Sequence, residues 1–121
     1  MTDFNTLVDM YISVWNEPDD AARRAKVEKV FADQAKHVTP AGKSVGHDEI
    51  YARITDAYAQ GIDAGAQQLR SVRNVTNHRG AVRVNWDTTN AEGERVTAGY
   101  DCMTLSADGR VNVDHQFADA A

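Results

Sequence analysis

The sequence predicts a single α+β domain in which three N-terminal helices pack over a curved antiparallel sheet and enclose one pocket. Apolar residues recur at helical spacing through residue 60. Beyond a loose connection at residues 61–65 they alternate with polar residues, with the period of two that is typical of strands. Helices followed by strands are the α+β arrangement. The length of 121 residues fits one core and is too short for two, so we expect one domain over residues 1–121.

Three helices are predicted. The first covers residues 3–16, with Thr2 or Asp3 as its N-cap and an apolar stripe that ends at Trp15. The second begins near Asp19 and keeps its last apolar residues, through Phe31, on the inside. A short strand over residues 35–39 and a smaller one over residues 44–46 then lead to the third helix, which covers residues 47–60.

Four longer strands follow in the predicted sheet. The first contains Leu69, Val72 and Val75, and the second alternates from Val82 to Trp86. The third covers residues 96–105 and the last covers residues 111–118. Between these two, Ala107-Asp108-Gly109 is a hairpin turn signal.

The register of this last hairpin decides which side chains share a face. A four-residue connection over residues 106–109 would pair Asp101 with Asp114. A two-residue turn over residues 108–109 would pair Asp101 with Gln116 instead. In either register Asp101, Asp114 and Gln116 project to the same side of the sheet.

Two interpretations of this shared face are open. If it lines a partly apolar cavity, the two carboxyl groups titrate as a coupled pair, and the raised pKa of one of them would make it a general acid. If it is the wet side of the sheet, both carboxylates are simply solvated. Tyr11 is similarly ambiguous, because a tyrosine within the apolar stripe of the first helix is either an ordinary core residue or part of a site.

Other residues are candidates for contacts with a small molecule. His37 and Thr39 alternate onto one face of the short strand, and the two tryptophans are apolar walls or core residues. The residues that we expect to bind a substrate are Trp15, His37, Thr39, Tyr58, Trp86, Met103 and Gln116. The four histidines share no spacing typical of a metal site, and Cys102 is the only cysteine. We therefore predict neither a metal nor a cofactor.

Charge and hydropathy limit the partners. The net charge of -5 argues against a nucleic-acid-binding surface. The basic cluster of Arg23, Arg24, Lys26 and Lys29 alternates with acidic residues, so we interpret it as a solvated helix face. No apolar stretch approaches the ~20 residues of a membrane span, and the N-terminus lacks the features of a signal peptide. A lone thiol suits a reducing compartment, so we expect a cytoplasmic protein with no nucleic-acid or membrane partner.

Several segments, taken in order, resemble the SnoaL-like branch of the nuclear transport factor 2-like superfamily. They are residues 11–16, 30–33, 37–42, 46–50 and 107–117. The resemblance spans essentially the whole chain and implies a cystatin-like cone of helices over a curved sheet, with a pocket inside. It also implies a homodimer through the outer sheet face, for which Val111, Val113 and Phe117 would supply an apolar patch.

The resemblance also implies roles for individual residues. In the ketosteroid isomerases of this superfamily, the oxyanion-hole tyrosine matches Tyr11, and the aspartic acid kept neutral by an apolar site matches Asp101. Their proton-abstracting aspartate falls at Thr39, whose hydroxyl is not a base near neutral pH, and His37 could substitute for it. SnoaL-like polyketide cyclases use an acidic residue that Asp101 or Asp114 would supply.

Limonene epoxide hydrolase-like members carry an Asp-Arg-Asp arrangement with one aspartate near Asp114. The nearest strand arginine here is Arg83, which the alternation of its strand predicts to point away from the cavity.

We therefore predict a cofactor-independent isomerase, cyclase or hydrolase that acts on a small apolar molecule by acid/base catalysis. Asp101 and Asp114 would be the acid/base pair, and Tyr11 would donate a hydrogen bond to developing charge. The alternative is a ligand-binding or dimeric interaction module of the same fold without catalysis, which the threonine at position 39 favours.

Overall fold

The computed structural model describes residues 4–63, 68–71, 76–78 and 81–118. Its helices are α1 (Phe4–Asn16), α2 (Asp20–Val30) and α3 (Gly46–Ala57), and α3 continues into a π-helical segment, Tyr58–Asp63. Its strands are β1 (Phe31–Thr39), β2 (Gly42–Val45), β3 (Gln68–Ser71), β4 (Thr76–His78), β5 (Ala81–Thr89), β6 (Arg95–Leu105) and β7 (Val111–Ala118). The predicted caps Thr2 and Asp3, and the predicted strand residues Val72 and Val75, lie outside the described residues.

The strands form one sheet of seven, which confirms the α+β class. Their order is β2-β1-β7-β6-β5-β3, and β4 also pairs with β5. Every pairing is antiparallel except that of β1 with β7, which is parallel. The sheet is therefore mixed, whereas we predicted a wholly antiparallel one. After β1 and β2 the chain passes through α3 to the far edge of the sheet and returns strand by strand, so that β7 arrives beside β1 in the same direction.

The helices pack against the sheet with their apolar stripes. In α1 the buried residues are Leu7, Val8, Tyr11, Ile12, Val14 and Trp15, as a helical period predicts. Asp19 caps α2 by accepting a 2.8 Å hydrogen bond from the backbone N–H of Ala22. In α3, Ile50 and Ile54 are fully buried. These helices have 13, 11 and 12 residues, and no helix in the described ranges is long and apolar enough to cross a membrane.

Two expectations for the second helix are wrong. The helix ends at Val30, and Phe31 is the first residue of β1, where it pairs with Val111 and remains fully buried. Arg23 is not on a solvated face, since only 1% of it is exposed. Its guanidinium donates to the carbonyl oxygen of Glu17, the carboxylate of Asp20 and the hydroxyl of Thr55. A buried cation with this many acceptors is fully compensated.

In the last hairpin Asp101 has the partner that the two-residue turn predicts, although the loop itself covers residues 107–109. Asp101 lies opposite Gln116, and the pairing shifts by a β-bulge between Thr104 and Leu105. The four-residue connection that would pair Asp101 with Asp114 is therefore wrong. Gly109 has a φ of 85°, a conformation that favours glycine, and its N–H donates to the carbonyl oxygen of Ser106.

The bulge also changes the outer face of β7. Regular alternation from the buried Asp114 would turn Val111 outward, but the extra residue brings Val111 into the core, where it is 0% exposed. The predicted outer patch therefore loses Val111. Val113 is half-buried, and Phe117 is exposed and stacks on Tyr100 at 4.8 Å between ring centroids.

Candidate active site

Five buried side chains from five different elements meet beneath α1. They are Tyr11 of α1, His37 of β1, Trp86 of β5, Asp101 of β6 and Asp114 of β7, and we call them the polar cluster. Both aspartates are 0% exposed. The interpretation that they lie on a solvated face is therefore wrong.

Asp101 and Asp114 share a face because Asp114 lies two residues before Gln116, the partner of Asp101 in the β6–β7 pairing. Asp101 lies opposite Gln116, and Asp114 lies opposite Met103. The carboxylates are thus diagonal neighbours, close enough for one side chain to bridge them. That side chain is Tyr11, whose hydroxyl lies 2.7 Å from Asp101 Oδ2 and 2.6 Å from Asp114 Oδ2.

These two short contacts require a shared proton. The Tyr11 hydroxyl has one hydrogen to donate, so one of the two carboxyl groups must be protonated and donate to the tyrosine oxygen. The Trp86 indole N–H donates to Asp101 Oδ1 at 2.7 Å, so Asp101 can accept two hydrogen bonds as an anion. The consistent arrangement is a chain in which Asp114 donates to Tyr11, and Tyr11 donates to Asp101.

Burial supports this assignment of protons. It raises the pKa of Asp114 well above its usual value, and hydrogen bonding with Asp101 and the charge of Asp101 raise it further. The hydrogen bond from Tyr11 acts in the opposite direction but is a smaller effect. Burial and the two neighbouring carboxyl groups also raise the pKa of Tyr11, so the tyrosine remains a neutral donor.

His37 lies beside this chain without joining it by a good hydrogen bond. Its Nε2 is 3.5 Å from Asp114 Oδ2, which is too long for a strong bond. Burial lowers the pKa of His37 to about 4, helped by the positive charge of Arg53 and opposed by the charge of Asp101. The imidazole is therefore neutral at pH 7.

Four buried polar atoms here have no hydrogen-bonding partner in the structure. They are Trp15 Nε1, both ring nitrogens of His37 and Asp114 Oδ1. The rings of Trp15 and His37 are 5.4 Å apart, so these atoms belong to one neighbourhood. An unpaired buried polar group costs roughly 1–3 kcal/mol, so a concentration of them is unusual for a purely structural core.

Several predicted contact residues lie close to the polar cluster. Trp15 is buried, with 6% of its surface exposed, and it packs against Tyr11 at 6.2 Å between ring centroids. Met103 is buried opposite Asp114, and Gln116 is half-buried opposite Asp101.

Thr39 and Tyr58 have other partners. The hydroxyl of Thr39 accepts a 3.2 Å hydrogen bond from the Ala41 N–H in the turn between β1 and β2. Tyr58 begins the π-helical segment, and the Arg23 guanidinium lies over its ring at 4.7 Å. Arg83 is exposed on the outer sheet face, over the ring of Tyr100 at 4.1 Å, as the strand alternation predicts.

Two features of the candidate site were not predicted from the sequence. Trp86 was expected as an apolar wall, whereas its indole nitrogen holds Asp101 in place. Arg53 of α3 was not singled out, although it lies over the Trp15 ring at 5.7 Å and its charge reaches His37. The helical pattern contained a signal for Arg53, because it directly precedes the buried Ile54 and follows the buried Ile50 by three residues.

A cavity of about 230 Å³ opens between the β1–β2 hairpin and α3. It is lined by His37, Thr39, Ala41, Gly42, Lys43, Ser44 and Arg53. His37 is its buried member, so the cavity leads from the surface to the edge of the polar cluster.

His37, Asp101 and Asp114 are also close enough to share a metal ion, since one ligand atom from each lies within 4.8 Å of the others. Three of the four carboxylate oxygens, however, already contact Tyr11 or Trp86. A cation would have to displace these short hydrogen bonds and remove the shared proton. The donor set as arranged therefore suits proton sharing better than metal binding.

Comparisons with known proteins give structural relatives. The chain matches no known protein-family profile and no curated protein. A candidate isomerase of the SnoaL-like family from Agrobacterium tumefaciens has 27% sequence identity and a TM-score of 0.89, over 99% of this chain and 100% of that one. A candidate polyketide cyclase from Sinorhizobium meliloti has 18% identity and a TM-score of 0.70, over 93% of this chain and 94% of that one. A SnoaL-like protein of unknown function from Burkholderia thailandensis has 15% identity and a TM-score of 0.75, over 99% of each chain.

Proposed function

Because the chain belongs to the SnoaL-like and nuclear transport factor 2-like superfamily, whose cone-shaped fold it shares, we propose that it is an acid/base enzyme of the isomerase or cyclase type. In this proposal it moves a proton on a small, largely apolar carbonyl compound without a cofactor. The observation that carries the proposal is the group of four unpaired, buried polar atoms on Trp15, His37 and Asp114. A substrate bound in the adjacent cavity would pair with His37, which is the buried residue that lines it.

His37 is the base in this proposal. A neutral imidazole has a free lone pair, and both ring nitrogens of His37 are unpaired. It takes a proton from the carbon next to the substrate carbonyl, and the electron pair of that C–H bond moves toward the carbonyl oxygen. The imidazolium then returns a proton to carbon or oxygen, so the enzyme ends unchanged, and in D₂O it exchanges its proton with the solvent before that return.

The surrounding groups support the charges that form during this transfer. The Trp15 indole N–H is the candidate donor to the oxygen that becomes negative. The chain of Asp114, Tyr11 and Asp101 carries one negative charge beside the imidazolium and thereby stabilises it. Tyr11 and Trp86 act as positioning residues, because their hydrogen bonds fix the two carboxyl groups.

Hydrogen–deuterium exchange tests the proposal directly. In D₂O the protein should catalyse the exchange of the protons next to the carbonyl of cyclohexanone for deuterium. Proton NMR measures this exchange as the loss of their signal. His37→Gln should lower the rate at least 100-fold, the smaller end of what a general base contributes. His115→Gln, an exposed histidine on β7, is the matched control and should leave the rate unchanged. Equal rates in the two variants, or no exchange above the buffer rate, would contradict the proposal.

A binding module without catalysis is the second candidate. Thr39, which corresponds to the proton-abstracting aspartate of the ketosteroid isomerases, supports it, because its hydroxyl serves the β1–β2 turn. This candidate predicts ligand binding with no exchange of ligand protons in the same NMR experiment.

We also retain the homodimer through the outer sheet face as a proposal. Support comes from two large apolar side chains, Phe117 and Val96, which are 44% and 45% exposed. A monomer at micromolar concentration in light scattering would contradict it.

A further inference from the structure

We propose that the substrate carries an anionic group, such as a carboxylate, which Arg53 and Lys43 bind in the cavity above His37. This inference rests on the proposed function, because it names the class of compound that the same site would accept. The proposed substrate is then no longer any small apolar molecule, but an apolar ring or chain with one negatively charged end.

The charge of the cavity is the first support. Arg53 of α3 and Lys43 of β2 both line it, and none of the described residues that line it is acidic. The protein as a whole has a net charge of -5. The charge of the cavity lining is therefore opposite in sign to the net charge of the chain. Ser44 adds a hydroxyl group that can donate a further hydrogen bond to an anion.

The lack of a carboxylate partner for Arg53 is the second support. The other arginines that are at least half-buried in the described ranges each pair with a carboxylate, as Arg23 does with Asp20, Arg24 with Asp48 and Arg110 with Asp33. Among the described residues, Arg53 has a long, 3.5 Å contact with the amide oxygen of Gln116 and lies over the face of Trp15. A guanidinium whose N–H groups are not used in other hydrogen bonds is suited to two parallel hydrogen bonds with a carboxylate.

The size of the cavity agrees with such a ligand. A cavity of roughly 150 Å³ holds a benzene molecule, so the volume of about 230 Å³ leaves room for a six-membered ring and a carboxylate. With the carboxylate at Arg53, the other end of the ring points toward His37, which is the deepest lining residue.

Binding of an anion here would also change the base. The charge of Arg53 is one of the causes that lower the pKa of His37. A carboxylate paired with Arg53 would offset that charge and make the imidazole a stronger base only when the substrate is present. The proton transfer would therefore be faster for the anionic compound than for a neutral compound of the same shape.

A matched pair of ketones tests this inference. The probes are 4-oxocyclohexanecarboxylate and its neutral carboxamide, which have nearly the same shape. NMR titration should show the carboxylate binding at least tenfold more tightly, with the difference shrinking at high salt. Arg53→Gln should remove the tenfold difference, Arg53→Lys should keep part of it, and Arg83→Gln, an exposed arginine on the outer face, should keep all of it.

The failures of the inference and of the proposed function are distinguishable. Equal binding of the two ketones, binding of neither, or equal weakening by Arg53→Gln and Arg83→Gln would overturn the inference. Proton exchange in the same samples reports separately on His37. Tight, Arg53-dependent binding without exchange would therefore contradict the proposed function alone. If Arg53→Gln does not fold, Lys43→Gln and the salt dependence of the wild-type protein provide the same test.

Discussion

Replacement of Asp114 by asparagine should make the protein more sensitive to acid. In the folded protein Asp114 holds the shared proton, whereas in the unfolded chain it loses that proton above its ordinary pKa of 3.8. Acidification from the raised pKa of Asp114 in the folded protein down to 3.8 therefore favours the folded state. His37 has the opposite effect, because its pKa falls from 6.5 in the unfolded chain to about 4 in the folded protein. The unfolded chain binds the extra proton, so acidification favours unfolding.

In the wild-type protein these two contributions oppose each other. Asparagine at position 114 can still donate to the Tyr11 oxygen but does not titrate, so the contribution of His37 acts alone. Asp114 is not among the causes of the His37 shift, so that shift should persist in the variant. The free energy of unfolding of Asp114→Asn should then fall by about 1.4 kcal/mol per pH unit below pH 6.5, and by about 2.5 kcal/mol in total at pH 4.5, whereas that of the wild-type protein should fall less.

Urea unfolding between pH 7 and pH 4.5 measures this difference. Asp9→Asn, on the exposed side of α1, is the control and should follow the wild-type curve in parallel. NMR of the His37 ring should show no titration between pH 8 and pH 5.5. The arrangement in which Asp114 holds the proton is refuted if Asp114→Asn also runs parallel to the wild-type protein, or if His37 titrates near pH 6.5 while the protein is folded.

Two further substitutions test the packing of the site. Tyr11→Phe removes the hydroxyl between the two carboxyl groups and should lower the free energy of unfolding by about 3 kcal/mol, whereas Tyr51→Phe, on a half-buried tyrosine of α3, should change it by under about 0.5 kcal/mol. Gly99→Ala should cost about 3 kcal/mol, because its Cβ would overlap the Phe117 carbonyl oxygen and lie 2.6 Å from the Trp86 ring.

Local pattern predicted the helices and most strands because these elements depend on nearby residues. The apolar stripe through Trp15 placed α1, and alternation placed β5, β6 and β7. The parallel pairing of β1 with β7 could not be predicted in this way, since it depends on the route of the chain over some 70 residues. The exact register at Asp101 was also ambiguous, because it depends on the length of the turn and on a bulge, which the alternation within β6 does not specify.

The candidate site was only partly accessible for the same reason. Parity along β6 and β7 was enough to put Asp101 and Asp114 on one face, whichever turn joined the strands. The hydrogen bond from Trp86 to Asp101 was not accessible, because an indole in a strand looks alike as a wall and as a donor. Arg53 was missed, although it lies between the buried Ile50 and Ile54, because helical spacing alone does not show that its guanidinium reaches the Trp15 ring.

The position of β7 within the sheet has a consequence for folding during synthesis on the ribosome. This strand comes last among those described, yet it lies between β1 and β6 and supplies Asp114. Until residues 111–118 have left the exit tunnel, the sheet is split into two halves whose inner edges are open. His37 and Asp101 then stand on opposite sides of that gap. The same strand that closes the sheet thus completes the proton-sharing chain, so a nascent chain cannot have the site before it has the fold.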